Sequence, residues 1–314
     1  MRGGVLAVKY HAYTLWLFIF SDLKTIILPS TVFGIANAWA APRYGISVAE
    51  TPSSPNEMEN MRRVVAQTIS VIFWILANFL PFAINNQRDR SAILEDAINK
   101  PWRPFPSGRI IPSHATKLMV FLYIAAPVYS MVISGGHRQS LGLVVLGTWY
   151  NNWGGAEHNP LVRNLINALG YTCFISGALE VALGSALLPL HLSHPLAQWL
   201  LVIGAIIAST VHLQDLPDQL GDAKRGRATI PLVLGDAVAR WTIAVPMLGW
   251  GLFCPVFWGI NRGCFTGSTL LAWTVAIRVV VIRNVLGDKL TFRLWNCWIA
   301  MVYLMPLLSR GHIH

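Results

Sequence analysis

The amino-acid sequence predicts an all-α integral membrane protein, a bundle of about nine transmembrane helices forming a single domain over residues 1–314. Three observations lead there. The chain is 54% hydrophobic and only 12% charged, with a mean hydropathy of +0.51, whereas soluble globular chains carry about 25% charged residues. Apolar stretches approaching the roughly 20 residues needed to cross a bilayer recur along the whole chain. The charged residues fall mainly between those stretches. The 13 Trp and 8 Tyr suit the bilayer interfaces or the wall of an apolar site. Cys173, Cys254, Cys264 and Cys297 show neither CxxC spacing nor loop clustering, which excludes a disulfide framework and reads as buried thiols.

The first span lies near residues 23–42; Met1–Tyr13 lacks the apolar core of a cleavable signal, so this span is expected to stay as a helix, with Asp22 and Lys24 at its start. The second, near 66–87, ends in amides and an Arg-Asp pair. The third lies near 117–135, and the fourth, near 139–153, is the weakest. The fifth, near 162–187, carries Glu180 in its middle. The sixth, near 196–213, runs into an acidic segment. The seventh and eighth, near 240–260 and 267–286, are separated only by the Asn261-Arg262-Gly263 region, and the ninth closes the chain near 291–309.

With nine spans, the amino terminus and the even-numbered connections share one side of the membrane. Most of the 24 Lys and Arg lie there, leaving Arg43, Arg62, Arg63, Arg138, Arg262 and Arg310 opposite. That asymmetry places the amino terminus and the even connections in the cytosol. The net charge of +10 therefore reads as topology and as affinity for an anionic ligand, and nucleic acid is excluded as a partner.

Carboxylates in so apolar a chain are costly unless exposed, paired or bound to metal. Asp89, Glu95 and Asp96 follow the second span, and Asp215, Asp218 and Asp222 follow the sixth, on the same side. The second group reads His212-x-x-Asp215-x-x-Asp218-x-x-x-Asp222, then Lys224, Arg225 and Arg227. Steps of three and four are expected to stack its carboxylates on one face of a helix continuing out of the membrane. Like charges stacked so closely need a cation, and hard oxygen ligands suit Mg²⁺, which takes one or two carboxylates plus substrate phosphates. A solvated helix end neutralised by Lys224 and Arg225 is the plainer alternative. The first group begins Asn85-Asn86-Gln87-Arg88-Asp89 and continues through Glu95 and Asp96 to Lys100, Arg103 and Arg109, in a stretch stiffened by Pro101, Pro104 and Pro106. It can hold a metal and a polyanion together, or be an ordinary basic loop; two such segments facing one compartment favour the shared site.

These residues resemble the UbiA superfamily of intramembrane prenyltransferases. The resemblance rests on Asp96-Ala97-Ile98-Asn99-Lys100-Pro101-x-Arg103-Pro104-x-x-Ser107-Gly108 and on Asp215-x-x-Asp218-x-x-x-Asp222-x-x-x-Gly226-Arg227-x-Thr229-x-Pro231. It implies a helical bundle around a central cavity, with Mg²⁺ ions holding an isoprenyl diphosphate. The first motif departs from the family pattern, Asn-Asp-x-x-Asp-x-x-x-Asp: Arg88, Asp89 and Ala92 occupy its first three marked positions, so two of its carboxylates remain. Asn86-Gln87, Glu95-Asp96, Trp16-Leu-Phe with Asp22-Leu-Lys-Thr, and Tyr150-Asn151-Asn152-x-Gly154-Gly155-Ala156-Glu157 leading to Arg163-Asn164 are similar to a fungal branch of fumagillin-type membrane terpene cyclases.

The resemblance implies a Mg²⁺-dependent terpene cyclase that ionises an isoprenyl diphosphate, farnesyl diphosphate above all, with transfer of the prenyl group to an acceptor as the alternative. On this reading Asp89, Glu95, Asp96, Asp215, Asp218 and Asp222 hold metal, and Asn86, Lys100, Arg103, Arg163, Lys224 and Arg227 hold the diphosphate. Aromatic faces can steady a carbocation in a dry cavity; Tyr150 is the catalytic candidate among Phe73, Trp74, Trp149, Tyr171 and Phe174, each of which could instead pack or face lipid. Glu180, an acid inside a span, either stabilises the cation, accepts its proton, or is a neutral hydrogen-bonded structural group. His212 is expected to orient Asp215. The partners are the diphosphate and the lipid bilayer, and the expected location is the endoplasmic reticulum membrane with the motif-bearing loops in the cytosol.

Overall fold

In the computed structural model, residues 2–46, 57–133, 135–187 and 190–309 are described, and Arg310, His312 and His314 lie outside them. Among the described residues all regular structure is helical. The first span is α1 (Arg2–Ile19) and α2 (Leu28–Trp39), joined without a loop by a 3₁₀ turn, Phe20–Asp22, and a π turn, Leu23–Ile27. Helix therefore starts well before the expected residue 23. Arg109 holds the early part in place: its guanidinium lies over the rings of Tyr10 (4.3 Å) and Tyr13 (4.8 Å) and donates to Thr14 Oγ1.

The remaining spans overlap the apolar stretches, with α3 and α13 starting well before the expected residues 66 and 291: α3 (Glu57–Gln87), α5 (Pro112–Val132), α6 (His137–Asn152), α7 (Pro160–Leu183), α8 (Pro195–Thr210), α11 (Asp236–Phe257), α12 (Arg262–Val281) and α13 (Val285–Leu308). Among the described residues seven helical segments are long and apolar enough to cross a bilayer by length and composition. The other two long segments pack in the same bundle. One is α6, at 16 residues; the other is α13, which opens with Asp288, Lys289 and Arg293. Short helices α4 (Arg90–Asn99), α9 (Gln219–Arg225) and α10 (Ile230–Leu234) sit in the connections.

Helix α7 is the spine, packed against α2, α3, α6 and α8. Its start is fixed by Pro160 and by Asn159, whose side chain accepts from the N–H groups of Leu161 and Val162, and its end by Gly184 at φ 65°. Small residues let its neighbours approach, as is common between membrane helices. A Cβ on Gly34 would come within 2.8 Å of the Ala178 carbonyl oxygen, and one on Gly177 within 2.2 Å of the Trp74 indole.

The expected continuous helix through the second acidic segment is not formed. The chain tightens into a 3₁₀ turn over Val211–Asp215, turns at 216–218 and resumes as α9. Pro217 contributes to the break, because it has no N–H to continue the helix.

A buried charge cluster locks the last three spans. Arg240 donates to both Asp288 oxygens (2.8 Å each), to Asp236 (2.8 Å) and to the carbonyls of Val279 and Ile282. Breaking such a pair strands the partner charge, whereas replacing both partners by apolar groups is often neutral. Arg240→Met should therefore cost about 3–5 kcal/mol, seen as a fall in unfolding temperature in detergent, and adding Asp288→Leu should recover most of it.

Candidate active site

The two acid-and-base segments meet. Helix α4 packs on α9 at a distance that glycine permits, since a Cβ on Gly221 would fall 2.1 Å from the Asn99 amide. Charges alternate across the junction. Arg225 Nη1 and Arg227 Nη1 both donate to Glu95, each at 3.1 Å, and Arg225 also reaches Glu157. Arg227 donates to Asn86 Oδ1 (3.3 Å) and lies 3.5 Å from Asp222. Lys100 donates to Asp218 (3.0 Å). Arg163, from α7, donates to Asp215 Oδ1 (2.8 Å) and to the Tyr150 hydroxyl (2.7 Å). Arg103 grips both oxygens of Asp96 at 2.8 and 3.0 Å.

Below this lattice lies a cavity of about 600 Å³. Asn86, Glu95, Arg163, Asp215, Asp222 and Arg227 line its polar end, and Phe79, Phe82, Leu143, Tyr150, Tyr171 and Phe174 its apolar end. Several buried atoms of the lattice have no hydrogen-bond partner: the carboxylate oxygens Asp215 Oδ2 and Asp222 Oδ2, and the Nε–H groups of Arg103, Arg163 and Arg227. Unsatisfied buried groups are expensive. Two unpartnered anionic oxygens suit a cation, and unpartnered guanidinium donors suit an anion.

The electrostatics agree. Burial, and Asp215 beside it, push the Asp222 carboxyl up to about 7. Burial also raises Asp96 above its ordinary value, against the pull of Arg103. Burial acts the same way on Glu95, but Arg227 and Arg225 outweigh it and hold that carboxyl below its ordinary range. Burial would lower Lys100, yet Asp218 outweighs it and keeps the ammonium above its usual value.

Among the described residues no group of three or more His, Cys, Asp or Glu is arranged to hold a metal by itself. The donor set nonetheless fits Mg²⁺, an ion that commonly takes one or two carboxylates and completes its shell with water and phosphate oxygens. Asp215 and Asp222 are the pair with oxygens to spare.

The other sequence candidates fall in different places. Asn86, Lys100, Arg103, Tyr150, Arg163, Arg227, Glu95, Asp215, Asp218 and Asp222 are brought together around the cavity. Asp96 is buried behind it, committed to Arg103. Asp89 is exposed and caps α4, accepting from Ser91 N–H and Oγ–H. Lys224 is exposed on α9, outside the cavity lining. Glu180 is buried in α7 away from the cavity, where its carboxylate accepts from the backbone N–H groups of Gly136 and Leu187, each at 3.0 Å. Of the aromatic candidates, Phe73 faces outward, while Trp74 is buried and donates to Ser130. His212 is held between Asn164 and Thr242.

Four further charges, outside the two acidic motifs, line the cavity: Asp22 and Lys24 on the first span, and Lys289 and Arg293 on α13. The signal for them was present, since each is an ionisable residue within or at the start of a span.

The sequence matches the UbiA prenyltransferase family over residues 48–302. It is 36% identical to the fumagillin beta-trans-bergamotene synthase of Aspergillus fumigatus, covering 78% of this chain and 74% of that one. It is 27% identical to the somaliensene A/B synthase of Streptomyces somaliensis, over 91% and 89% of the two chains. In fold it resembles a solved UbiA homologue from Archaeoglobus fulgidus bound to DMAPP and Mg²⁺, with a TM-score of 0.53 at 13% identity, covering 90% of this chain and 98% of that chain.

A carboxyl whose pKa rises on folding takes up a proton, so its contribution makes the metal-free protein less stable as pH rises from about 4 to about 7. Asp222→Asn should flatten that slope, raise the metal-free unfolding temperature at pH 8, and abolish the further rise that Mg²⁺ produces in the unsubstituted protein. Differential scanning fluorimetry in detergent measures all three.

Proposed function

The chain belongs to the UbiA prenyltransferase family, and we propose that this multi-pass membrane enzyme is a Mg²⁺-dependent terpene cyclase, acting as one domain on farnesyl diphosphate. The observation that carries the reading is the set of unpartnered atoms at the polar end of the cavity: carboxylate oxygens for a cation beside guanidinium N–H groups for an anion. The likeness to a bergamotene synthase supports cyclisation, and the Archaeoglobus homologue bound to DMAPP and Mg²⁺ supports the metal and the diphosphate class.

Asp215 and Asp222 would hold Mg²⁺, with Asp218 and Glu95 nearby, and the ion would supply positive charge to the departing diphosphate. The chain's own cations do the rest of that work. Arg163, Arg227, Lys100 and Arg103 bind the diphosphate and stabilise the negative charge that grows on it as the allylic C–O bond breaks; Asn86 orients Arg227 through its amide oxygen. The farnesyl chain occupies the apolar end, folded so that one of its own double bonds lies near C1, which makes ring closure intramolecular. Phe79, Phe82, Tyr171 and Phe174 exclude water, and their ring faces, with that of Tyr150, favour the migrating positive charge. The bilayer is the expected source of the substrate. The endoplasmic reticulum is the expected membrane, with the lattice facing the cytosol.

A second reading, transfer of the prenyl group to an aromatic or other acceptor, is favoured by the family description itself and shares the whole ionisation site.

Microsomes containing the protein should convert farnesyl diphosphate and Mg²⁺, with no acceptor added, into a cyclic hydrocarbon detectable by gas chromatography and mass spectrometry. EDTA should abolish the conversion. Asp215→Ala should lower turnover at least about 10²-fold, a loss of about 2.7 kcal/mol of transition-state stabilisation. Unchanged substrate without acceptor, together with prenylation of an added phenol, would establish the transferase reading instead.

A further inference from the structure

The first span leaves α-helical geometry where it meets the cavity. The 3₁₀ turn Phe20–Asp22 passes straight into the π turn Leu23–Ile27, and every residue from Phe20 to Ile26 contributes to the cavity lining. A regular helix turns about 100° per residue and cannot present seven consecutive residues to one side. Single π turns within helices are frequent at functional sites, and this one brings an acid, Asp22, to the cavity.

Among the described residues five acids line the cavity. Glu95, Asp215, Asp218 and Asp222 each have an Arg or Lys nitrogen within 3.5 Å. Asp22 has a looser ion pair, Oδ2 standing 3.9 Å from Arg103 Nη2, and Arg103 is committed at shorter range to Asp96. Lys24, Lys100 and Asp96 are the other charged groups that act on it. Its side chain is 31% exposed, against 20% for Asp218, 7% for Glu95, 3% for Asp215 and 2% for Asp222. Thr25, one turn along, donates its hydroxyl to the Asp22 carbonyl, and Tyr171, a wall residue of the apolar end, lines the same cavity as both. Asp22 therefore borders both the cations of the polar end and the chamber in which the prenyl chain would react.

Resting on the ionisation chemistry proposed above, we infer that Asp22 accepts the proton released at the end of the reaction. The C1–O bond breaks and its electron pair leaves with the diphosphate. A double bond of the chain gives its π pair to C1, forming the new C–C bond and moving the positive charge along the skeleton. A C–H bond beside the final cationic carbon then gives its pair to a new C=C bond, and its proton passes to an Asp22 carboxylate oxygen. A C–H beside a carbocation is far more acidic than any carboxyl group, so the acceptor needs only charge and reach. Asp22 returns the proton to water once the product has left the cavity. Glu180, whose carboxylate is spent on two backbone N–H groups away from the cavity, does not have that position.

The test counts products per diphosphate released, using the full-length protein with farnesyl diphosphate and Mg²⁺. General bases contribute about 10²–10⁴-fold to the step they serve. Asp22→Asn should leave diphosphate release within about threefold of the unsubstituted enzyme, while hydrocarbon per diphosphate falls at least about tenfold and prenyl or cyclic alcohols from water capture take its place. Asp22→Glu should restore part of the hydrocarbon. An unchanged hydrocarbon yield in Asp22→Asn would assign the proton to the departing diphosphate and overturn the inference. Parallel loss of diphosphate release and hydrocarbon would also overturn it, reducing Asp22 to an orienting partner of Arg103. Failure of the unsubstituted enzyme to make hydrocarbon would instead count against cyclisation. The same ratio, measured with a phenol as acceptor and prenylated phenol as product, would still judge Asp22.

Discussion

Arg225 and Arg227 share a single carboxylate, Glu95, across the junction of two segments that lie far apart in the chain. A charge buried near a membrane survives only when it is matched, and this match sets the position of everything around it. It draws α9 onto α4, turns Arg227 toward Asn86 and Asp222, and leaves Asp218 in reach of Lys100. Arg163 extends the alternation from α7 to Asp215 and Tyr150. The lattice is largely paired within itself. What it leaves over is small and directional: two carboxylate oxygens and three guanidinium N–H groups. A cation alone or an anion alone would satisfy half of that remainder and leave the other half exposed to repulsion or desolvation.

The helices explain why this remainder opens onto an apolar chamber. Glycines at 34 and 177 bring α2 and α3 close against α7, and the Trp74 indole packs against Gly177 with its N–H given to Ser130. The far end of the spine is thereby closed. Around the middle, Phe79, Phe174 and Phe82 meet edge to face or tilted, an arrangement that keeps ring faces available. At the other side of the cavity the first span abandons regular geometry, and Lys24 lies over Phe292 of α13, 5.5 Å from its ring centre. The chamber is thus apolar at depth and charged at its rim, and its rim is built from five separate parts of the chain, among them Asp22, Glu95, Arg163, Asp215 and Lys289.

Hydropathy made nearly the whole bundle readable, because crossing a bilayer imposes a length and a composition on every span. The two charged segments were readable as a pair for the same reason, charge being so scarce elsewhere. The parts that escaped depend on local competition. Asp89 looked like a ligand by spacing, but a carboxylate two residues before a free N–H and a serine is also a helix cap, and capping prevailed. Asp215, Asp218 and Asp222 looked like one helical stripe until Pro217 divided it. Glu180 stood out as an acid within a span, yet a glycine N–H and a loop N–H could satisfy it locally. Asp22, Lys289 and Arg293 reach the cavity through a π turn and through the rotation of α13, and neither is encoded in a hydrophobic period.

The proposed chemistry requires cation and anion to occupy the lattice together. Mg²⁺ binding should be measured by isothermal titration calorimetry on the detergent-solubilised protein, with and without an unreactive thiolo-diphosphate analogue of the prenyl substrate. The leftover carboxylate and guanidinium groups predict reciprocal coupling: each ligand should tighten the other by at least about tenfold, about 1.4 kcal/mol. Equal Mg²⁺ affinity in the presence and absence of the analogue would contradict the account, since the two sets of unpartnered atoms would then be serving separate ends.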